Sequence, residues 1–225
     1  LATLDNKNAE ASFVCDNLAK AGAVPLLIDI SLRPHLIGGA DISGADLAIS
    51  GGQHWNEIAQ MDRTGAANIM VKGGIKILRE KFQNNEFSAF IALGGANGTL
   101  IACNIMRTFP PLFPKVMIST MAGTPAVEWY VGESDIVMFP SIGDILLNRI
   151  TRAVFEQACH SVVAMANSSK SRKSQKQPLT PLIGVSSFGG TSGCVERVTA
   201  RLIDKKFEVI QFHASGMGGR ALENL

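Results

Sequence analysis

The feature that most constrains the fold is a predicted strand that runs directly into a glycine-rich turn. Residues 87–93 are apolar enough for a buried strand, and Gly94-Gly95-Ala96-Asn97-Gly98-Thr99 follows at once. A helix is predicted over about residues 99–108. A buried strand joined to a helix by so short a turn is typical of parallel sheets that are covered by helices.

Strands and helices alternate in this way through most of the chain. Apolar runs predict strands at residues 23–30, 115–120 and 135–139, and helical spacing predicts helices over residues 64–82 and 144–167. A first helix, capped by Asp5 or Asn6, is expected to end near residue 21. Residues 1–167 are therefore predicted to form an α/β domain, a Rossmann-like, doubly wound and mainly parallel sheet in three layers.

A polar tract predicts where this domain ends. Residues 168–177 read SSKSRKSQKQ and contain no apolar anchor, which favours a linker over residues 168–180. A strand at 182–187, a helix at 192–204 and a strand at 207–213 follow. Residues 181–225 are therefore predicted to be the truncated beginning of a second α/β domain.

Charge and cysteine content exclude several classes of protein. The 21 basic and 19 acidic residues nearly balance, so direct binding to nucleic acid is not expected. The four cysteines form no C-x-x-C pair, which argues against a zinc knuckle or a disulfide framework and favours a reduced, cytoplasmic setting. No apolar stretch is long enough for a membrane-spanning helix, so no membrane contact is predicted.

The glycine-rich turn is the strongest candidate for a binding site. Gly94, Gly95 and Gly98 would let the backbone approach an anion closely, and Asn97 and Thr99 could bond phosphate oxygens at the start of the helix. The sequence matches neither the P-loop lysine pattern nor strict G-x-G-x-x-G. A tight strand-to-helix turn without a ligand therefore remains the alternative.

Further candidates follow other predicted strands, because ligands collect beyond the carboxyl ends of parallel strands. Lys7 could neutralise phosphate charge, and Asp5 could hold a metal ion or a hydroxyl; ordinary helix capping is the alternative. The remaining candidates for nucleotide contacts, again with capping as the alternative, are Thr3, Ser119, Thr120 and Ser141. No catalytic residue and no set of metal ligands is assigned.

Four ordered motifs carry a family resemblance: GGANGT at 94–99, PKVMIST at 114–120, SDIVMFPS at 134–141 and FHASGMGGRA at 212–221. Together they resemble the family of the tobamovirus-resistance protein of tomato and its bacterial and fungal relatives, an uncharacterised family with an ATP-binding domain. The first family motif usually reads Gly-Thr-x-Asp-Thr-Lys. Here it is Ala2-Thr3-Leu4-Asp5-Asn6-Lys7, which keeps Asp5 and Lys7 and replaces the second threonine.

The resemblance implies an N-terminal ATP-binding α/β domain, a barrel-like second α/β domain and a homodimer. The leading hypothesis is thus an ATP-binding protein with weak turnover at most, for which Mg²⁺ would be the natural counter-ion. One alternative is an enzyme acting on a small phosphorylated or carboxylated metabolite at the domain interface, with His213 and residues 216–219 contributing. The other is a regulatory interaction module without chemistry of its own.

Overall fold

The computed structural model describes residues 1–33, 35, 38–174 and 180–224. The chain divides into two compact units. The first comprises Leu1–Val131 and Asp135–Arg172, and the second comprises Gly132–Ser134 and Lys173–Leu225.

The first unit alternates helices with short strands. Its strands are β1 Phe90–Gly94, β2 Lys115–Ser119 and β3 Val137–Pro140. Its helices are α1 Leu4–Lys20, α2 Gly44–Gly51, α3 Trp55–Ile58, α4 Arg63–Gln83, α5 Ala96–Met106, α6 Val127–Val131 and α7 Arg149–Ser174. Among all described residues, none of the helices has both the length and the hydropathy required to cross a bilayer.

The sheet of the first unit is parallel, with β2 between β1 and β3. Shorter segments extend it beyond β1: Ala2 forms parallel bridges with both Leu93 and Asp29, and Ile28 forms one with Ile42. When the six segments are numbered along the chain, their order across the sheet is therefore 3-2-1-4-5-6. This is the doubly wound order of the Rossmann fold.

Hydrophobic cores form on both faces of this sheet. Phe90 and Met117 belong to one core together with apolar side chains of α2, α4 and α5. Leu93 and Ile118 belong to the other, together with side chains of α1 and α7. Successive residues of a strand point to opposite faces, so helices cover both sides of the sheet. The predicted three-layer α/β architecture is confirmed.

The predicted strand at residues 23–30 is wrong in its first half. Val24 is 96% exposed, and parallel bridging begins only at Ile28. Pro25 gives the physical reason, because proline has no amide hydrogen for a sheet and is rarely found inside one. Ile28 and Ile30 are buried in the core, as the apolar run predicts.

Helix α7 lies further along the chain than its apolar pattern predicts: it begins at Arg149 rather than at residue 144 and continues beyond residue 167. Residues 168–174, assigned to the linker, form its last turns, while residues 175–179 lie outside the described residues. Lysine and arginine have favourable helix propensities, and extending an existing helix costs far less than starting one. Helix α7 therefore continues through polar residues after its apolar spacing has ended.

A buried lysine joins the start of β2 to the segment before β3. Lys115 is fully buried, and its Nζ donates to the Pro110 carbonyl at 2.8 Å and to the Asp135 carboxylate at 2.6 Å. The Leu112 amide donates to the other Asp135 oxygen at 2.7 Å. Desolvation alone would raise the pKa of Asp135, but the hydrogen bonds from Lys115 and Leu112 outweigh it and hold this pKa below its ordinary value of 3.8.

We expect this pair to make the fold sensitive to acid. A carboxyl group with a lowered folded-state pKa stabilises the fold above its unfolded pKa, and that contribution is lost as the pH falls through the folded value. Urea unfolding at about pH 6 and about pH 3 should therefore show a smaller acid-induced loss of stability for Asp135→Asn than for the wild type. Equal losses in the two proteins would contradict this assignment.

The second unit has the element order β-α-β-α. Strands β4 Leu182–Ser187 and β5 Glu208–His213 pair in parallel, and the short 3-10 helix Gly189–Thr191 and α8 Ser192–Asp204 connect them. Helix α9 Met217–Glu223 follows, and a Cβ at Gly218 would collide with the carbonyl oxygen of His213. The predicted β-α-β unit is confirmed, and its barrel-like character stays a prediction.

Candidate functional site

A cleft of about 330 Å³ opens in the first unit, where the turn after Ala2 lies beside the turn after β1. The strand order reverses between these two segments. Helices α1 and α5 therefore cover opposite faces of the sheet, and a crevice opens between their first turns. Doubly wound sheets bind their ligands at this position. The cleft is lined by Thr3, Asp5, Asn6, Lys7, Leu32, Arg33, Arg63, Gly95, Ala96, Asn97 and Gly98.

Helix α5 begins at the cleft with its first amides free. Gly95 occupies the N-cap position and has no side chain to accept a hydrogen bond, and Thr99 is the first residue whose amide bonds back, to the Gly95 carbonyl at 2.9 Å. The amides of Ala96, Asn97 and Gly98 have no partner among the described residues. Such unpaired N–H groups, at the positive end of a helix, attract anions.

The two glycines at the end of β1 have different roles. A Cβ on Gly94 would lie 2.8 Å from the Cα of Gly98, which is too close for a real contact, so the strand-to-helix turn itself requires glycine there. The nearest atom to a Cβ on Gly95 is Thr120 Oγ1 at 4.0 Å. The space beside Gly95 is therefore open. The helix starts at Ala96, three residues before the predicted start.

The hydroxyl groups of Thr99 and Ser119 lie beneath the turn rather than in the cleft. Both residues are fully buried, and their Oγ atoms are 2.6 Å apart. Thr99 also donates to the Gly94 carbonyl at 3.2 Å, and Ser119 accepts from the Met121 amide at 2.9 Å. These contacts fasten the β1–α5 turn to the end of β2, and phosphate binding by either hydroxyl stays a prediction.

The two other predicted hydroxyl groups also lie outside the cleft lining. Ser141 is buried just after β3 and donates to the Gly143 carbonyl at 2.5 Å. Thr120 follows β2 and is partly exposed near Gly95. Their roles as nucleotide contacts likewise stay predictions.

The first turn of α1 is capped by a neighbouring segment. The Leu4 amide donates to Asp29 Oδ1 at 3.2 Å, and the Asp5 amide donates to Ser31 Oγ at 3.1 Å. Thr3 occupies the N-cap position, but its side chain does not cap the helix. The predicted capping by residue 5 or 6 is therefore wrong, because acceptors from the adjacent strand end satisfy these amides.

Asp29 connects this helix start to a second wall of the cleft. The residue is 3% exposed, and its Oδ1 accepts from the Ser31 amide at 2.9 Å and the Ser31 hydroxyl at 2.5 Å. Its Oδ2 lies 2.8 Å from His35 Nε2. Leu32 and Arg33, which line the cleft, lie between these two partners in the chain. One buried carboxylate thus binds both the start of α1 and the residues that flank Leu32 and Arg33.

Lys7 and Asp5 bring opposite charges to the cleft. Lys7 departs from helical geometry, with φ −131° and ψ 28°, and its Nζ donates to the Ile145 carbonyl at 2.7 Å. Asp5 Oδ1 is buried without a hydrogen-bond partner among the described residues. An unpaired buried carboxylate oxygen is costly unless a ligand or cation supplies a partner.

Sequence reasoning missed two arginines in the cleft. Arg33 lies two residues after the buried segment 28–31, so its position near a strand end was a usable signal. Arg63 begins α4 and is remote in sequence from every predicted site residue, so no local pattern marks it. The other missed lining residues are Asn6, Leu32 and Ala96.

Among the described residues, Cys103 and Cys159 are too deeply buried to be good nucleophiles. Burial raises the pKa of both the Cys103 and Cys159 thiols to about 12, which keeps them protonated at neutral pH. In the second unit, the exposed His213 Nδ1 and Ser215 Oγ are 2.7 Å apart. Within the part of the chain that the structure describes, no group of three or more His, Cys, Asp or Glu side chains could hold a metal ion.

Two family profiles match this chain. The N-terminal domain of an uncharacterised protein family, UPF0261, matches residues 1–171, and the C-terminal domain of the same family matches residues 180–225.

Individual relatives agree with these profiles. A UPF0261 protein of Clostridium tetani is 34% identical over 227 residues, which are 100% of this chain and 55% of that protein. A UPF0261 protein of Mesorhizobium japonicum is 34% identical over 230 residues, with the same coverage. The ToMV resistance protein Tm-1 of Solanum lycopersicum is 36% identical over 165 residues, 71% of this chain and 22% of that protein. The chain spans about half the length of the bacterial relatives.

Proposed function

Because this chain belongs to the uncharacterised protein family UPF0261, we propose its function from the geometry of the cleft. The first unit binds a nucleotide, ATP, with a phosphate group at the start of α5. The partial relationship to the tomato resistance protein agrees with the resemblance from which ATP binding was predicted.

The observation that carries the proposal is the uncapped start of α5 at the point where the strand order reverses. Three neighbouring amides, of Ala96, Asn97 and Gly98, face this cleft without partners. A phosphate oxygen can accept from several such amides at once, and the positive end of the helix favours its negative charge. Gly95 leaves room for this approach because its Cβ position meets no atom closer than 4.0 Å.

The remaining cleft residues fit a phosphate with its counter-ion. Lys7 contributes positive charge, although one of its ammonium hydrogens is already donated to Ile145. Mg²⁺ bound to a nucleotide typically uses one or two protein carboxylates together with phosphate oxygens and water. Asp5 Oδ1, buried and unpartnered, can supply one such ligand. The cation would then offset the repulsion between this carboxylate and the phosphates.

The volume of the cleft is also sufficient for part of a nucleotide. Small-molecule sites range from about 300 to 1,000 Å³, and this cleft has about 330 Å³. The phosphates would therefore lie within the cleft while the base extends from its mouth. We assign no reaction, because no described side chain in the cleft is placed as a nucleophile or a paired acid and base.

Replacing Ala96 with proline should weaken ATP binding while leaving the fold intact. Proline is tolerated at the first position of a helix, and the extended conformation of Gly95, with ψ −159°, suits a residue that precedes proline. The substitution removes one amide from the phosphate site. Calorimetry should show about a tenfold or greater loss of ATP affinity, as for one charge-assisted hydrogen bond.

Ala96→Ser is the matched control because it keeps the amide, and it should bind ATP as the wild type does. Adenosine is the control ligand and should be affected equally little by both substitutions. Equal losses for ATP and adenosine in Ala96→Pro would show that no phosphate lies at this helix start. A wild-type protein that is stabilised by sugar phosphates or organic acids, but by no nucleotide, would favour the metabolite-binding alternative.

A further inference from the structure

We propose that Arg33 and Arg63 form a second phosphate subsite in the same cleft, so that the site selects nucleotides with two or more phosphates over monophosphates. This inference rests on the proposed function and goes beyond it, because it assigns specificity to two residues outside the glycine-rich turn. The first phosphate occupies the start of α5, and the terminal phosphates reach the arginines.

The two arginines come from separate elements, and both line the cleft. Arg33 follows the segment at residues 28–31, and Arg63 is the first residue of α4. Neither guanidinium forms an ion pair or a hydrogen bond to any of the described residues, although both are exposed and line the cleft. Arginine presents several donors in a planar arrangement that matches phosphate oxygens.

The position of Arg63 is unfavourable unless an anion is present. A cation in the first turn of a helix is opposed by the positive end of the helix dipole. Asp62 offsets part of this field as the N-cap residue, because its Oδ1 accepts from the Gly65 amide at 2.9 Å. The guanidinium and the start of α4 nevertheless add positive potential on the same side of the cleft. A phosphate group there would be stabilised by both.

The position of Arg33 indicates the same ligand chemistry. In doubly wound folds that bind dinucleotides, an acidic residue near this position bonds a ribose hydroxyl, and an arginine nearby accommodates a phosphate group on that ribose. An arginine at this place in the fold is thus suited to binding an anion. Arg33 lies beyond the Ile28 segment, the neighbour of Ala2 in the sheet. The nearby acidic residue Asp29 is occupied by Ser31, His35 and the Leu4 amide. The free side chain at this strand end is therefore cationic.

Asp5 limits where the second phosphate can lie. Its unpartnered Oδ1 disfavours direct contact with a phosphate, so a phosphate without a bridging cation is directed toward the arginines. The cleft therefore has an anion site at the start of α5, a carboxylate and a pair of guanidinium groups. A polyphosphate with a bound divalent cation complements all three.

The experiment measures AMP, ADP and ATP binding by calorimetry, with Mg²⁺ present, for the wild type and for Arg33→Ala and Arg63→Ala. Each substitution should lower ATP affinity about tenfold or more, as expected for a lost charge-assisted contact. AMP affinity should change by less than about threefold, as expected for a distant exposed charge. Arg79→Ala is the matched control, because Arg79 is also an exposed arginine of α4 but lies outside the cleft lining.

Inorganic tripolyphosphate separates failure of this inference from failure of the proposed function. If nucleotides do not bind but tripolyphosphate binds and requires Arg33 and Arg63, the proposed subsite is correct and the proposed nucleotide function is wrong. If wild-type affinity is the same for AMP and ATP, or if both substitutions reduce the two affinities equally, the subsite is wrong and nucleotide binding stands. If neither nucleotide nor tripolyphosphate binds the folded wild type, both proposals are wrong.

Discussion

Asp29→Ala is expected to destabilise the first unit by about 3–5 kcal/mol, because it removes the acceptor of several buried hydrogen-bond donors, each of which costs about 1–3 kcal/mol when left unsatisfied. Asp29 is 3% exposed and accepts hydrogen bonds from the Leu4 amide, the Ser31 amide and the Ser31 hydroxyl. It also pairs with His35 at 2.8 Å. Alanine would leave the Leu4 amide and the two Ser31 donors buried without this acceptor, and each unsatisfied donor adds to the loss.

Urea unfolding followed by circular dichroism measures this effect. Asp16→Ala is the matched control, because Asp16 is an exposed aspartate of α1 and should change stability by no more than about 0.5 kcal/mol. Any Asp29→Ala protein that remains folded should also bind ATP more weakly, since Asp29 holds both Arg33 and the first turn of α1. A loss of stability below about 1 kcal/mol would show that water replaces these hydrogen bonds at little cost.

Gly73→Ala is expected to destabilise the first unit by about 3 kcal/mol, although alanine is the better helix former. Gly73 lies within α4, against α2. A Cβ there would collide with the Leu47 carbonyl oxygen and would lie 2.7 Å from the Leu47 carbonyl carbon and 2.9 Å from the Gly51 amide nitrogen. All of these are backbone atoms, so a side-chain rotation cannot relieve the clash and the two helices must separate.

Gly193→Ala provides the opposite expectation by the same measurement. Gly193 lies in α8 with no atom within 4 Å of a Cβ position, and its φ is not in the left-handed region. Alanine should therefore stabilise α8 by up to about 1 kcal/mol through helix propensity alone. If Gly73→Ala were as harmless as Gly193→Ala, the close approach of α2 and α4 would not be required for folding.

Most of the regular elements could be predicted because their signals are local. The apolar runs at β2 and β4, and the glycine-rich turn after β1, predict buried parallel strands and a strand-to-helix connection. Helical spacing likewise predicts α4 despite Gly73 and Gly74. These patterns depend only on which side chains are buried at the period of a strand or a helix. They can therefore be recognised in the sequence before the fold is known.

Element boundaries were less predictable because the partners at helix ends come from elsewhere. The start of α1 is satisfied by Asp29 and Ser31, which no local capping rule identifies. Helix α5 begins at Ala96, earlier than the predicted residue 99, because Gly94 permits the strand end to approach the helix closely. At α7, a polar composition suggested a linker although the helix had no physical reason to stop.

For the candidate site, the turn chemistry was predictable from the amino-acid sequence: the glycines after β1, and Thr3, Asp5 and Lys7 after the Ala2 segment. Tertiary structure alone decided that these two turns share one cleft, that the hydroxyls of Thr99 and Ser119 lie beneath it, and that Arg33 and Arg63 line it. The physical reason is that apolar periodicity specifies which face of a segment is buried. The strand order 3-2-1-4-5-6, and hence which loops become neighbours, is set by packing of all the layers together.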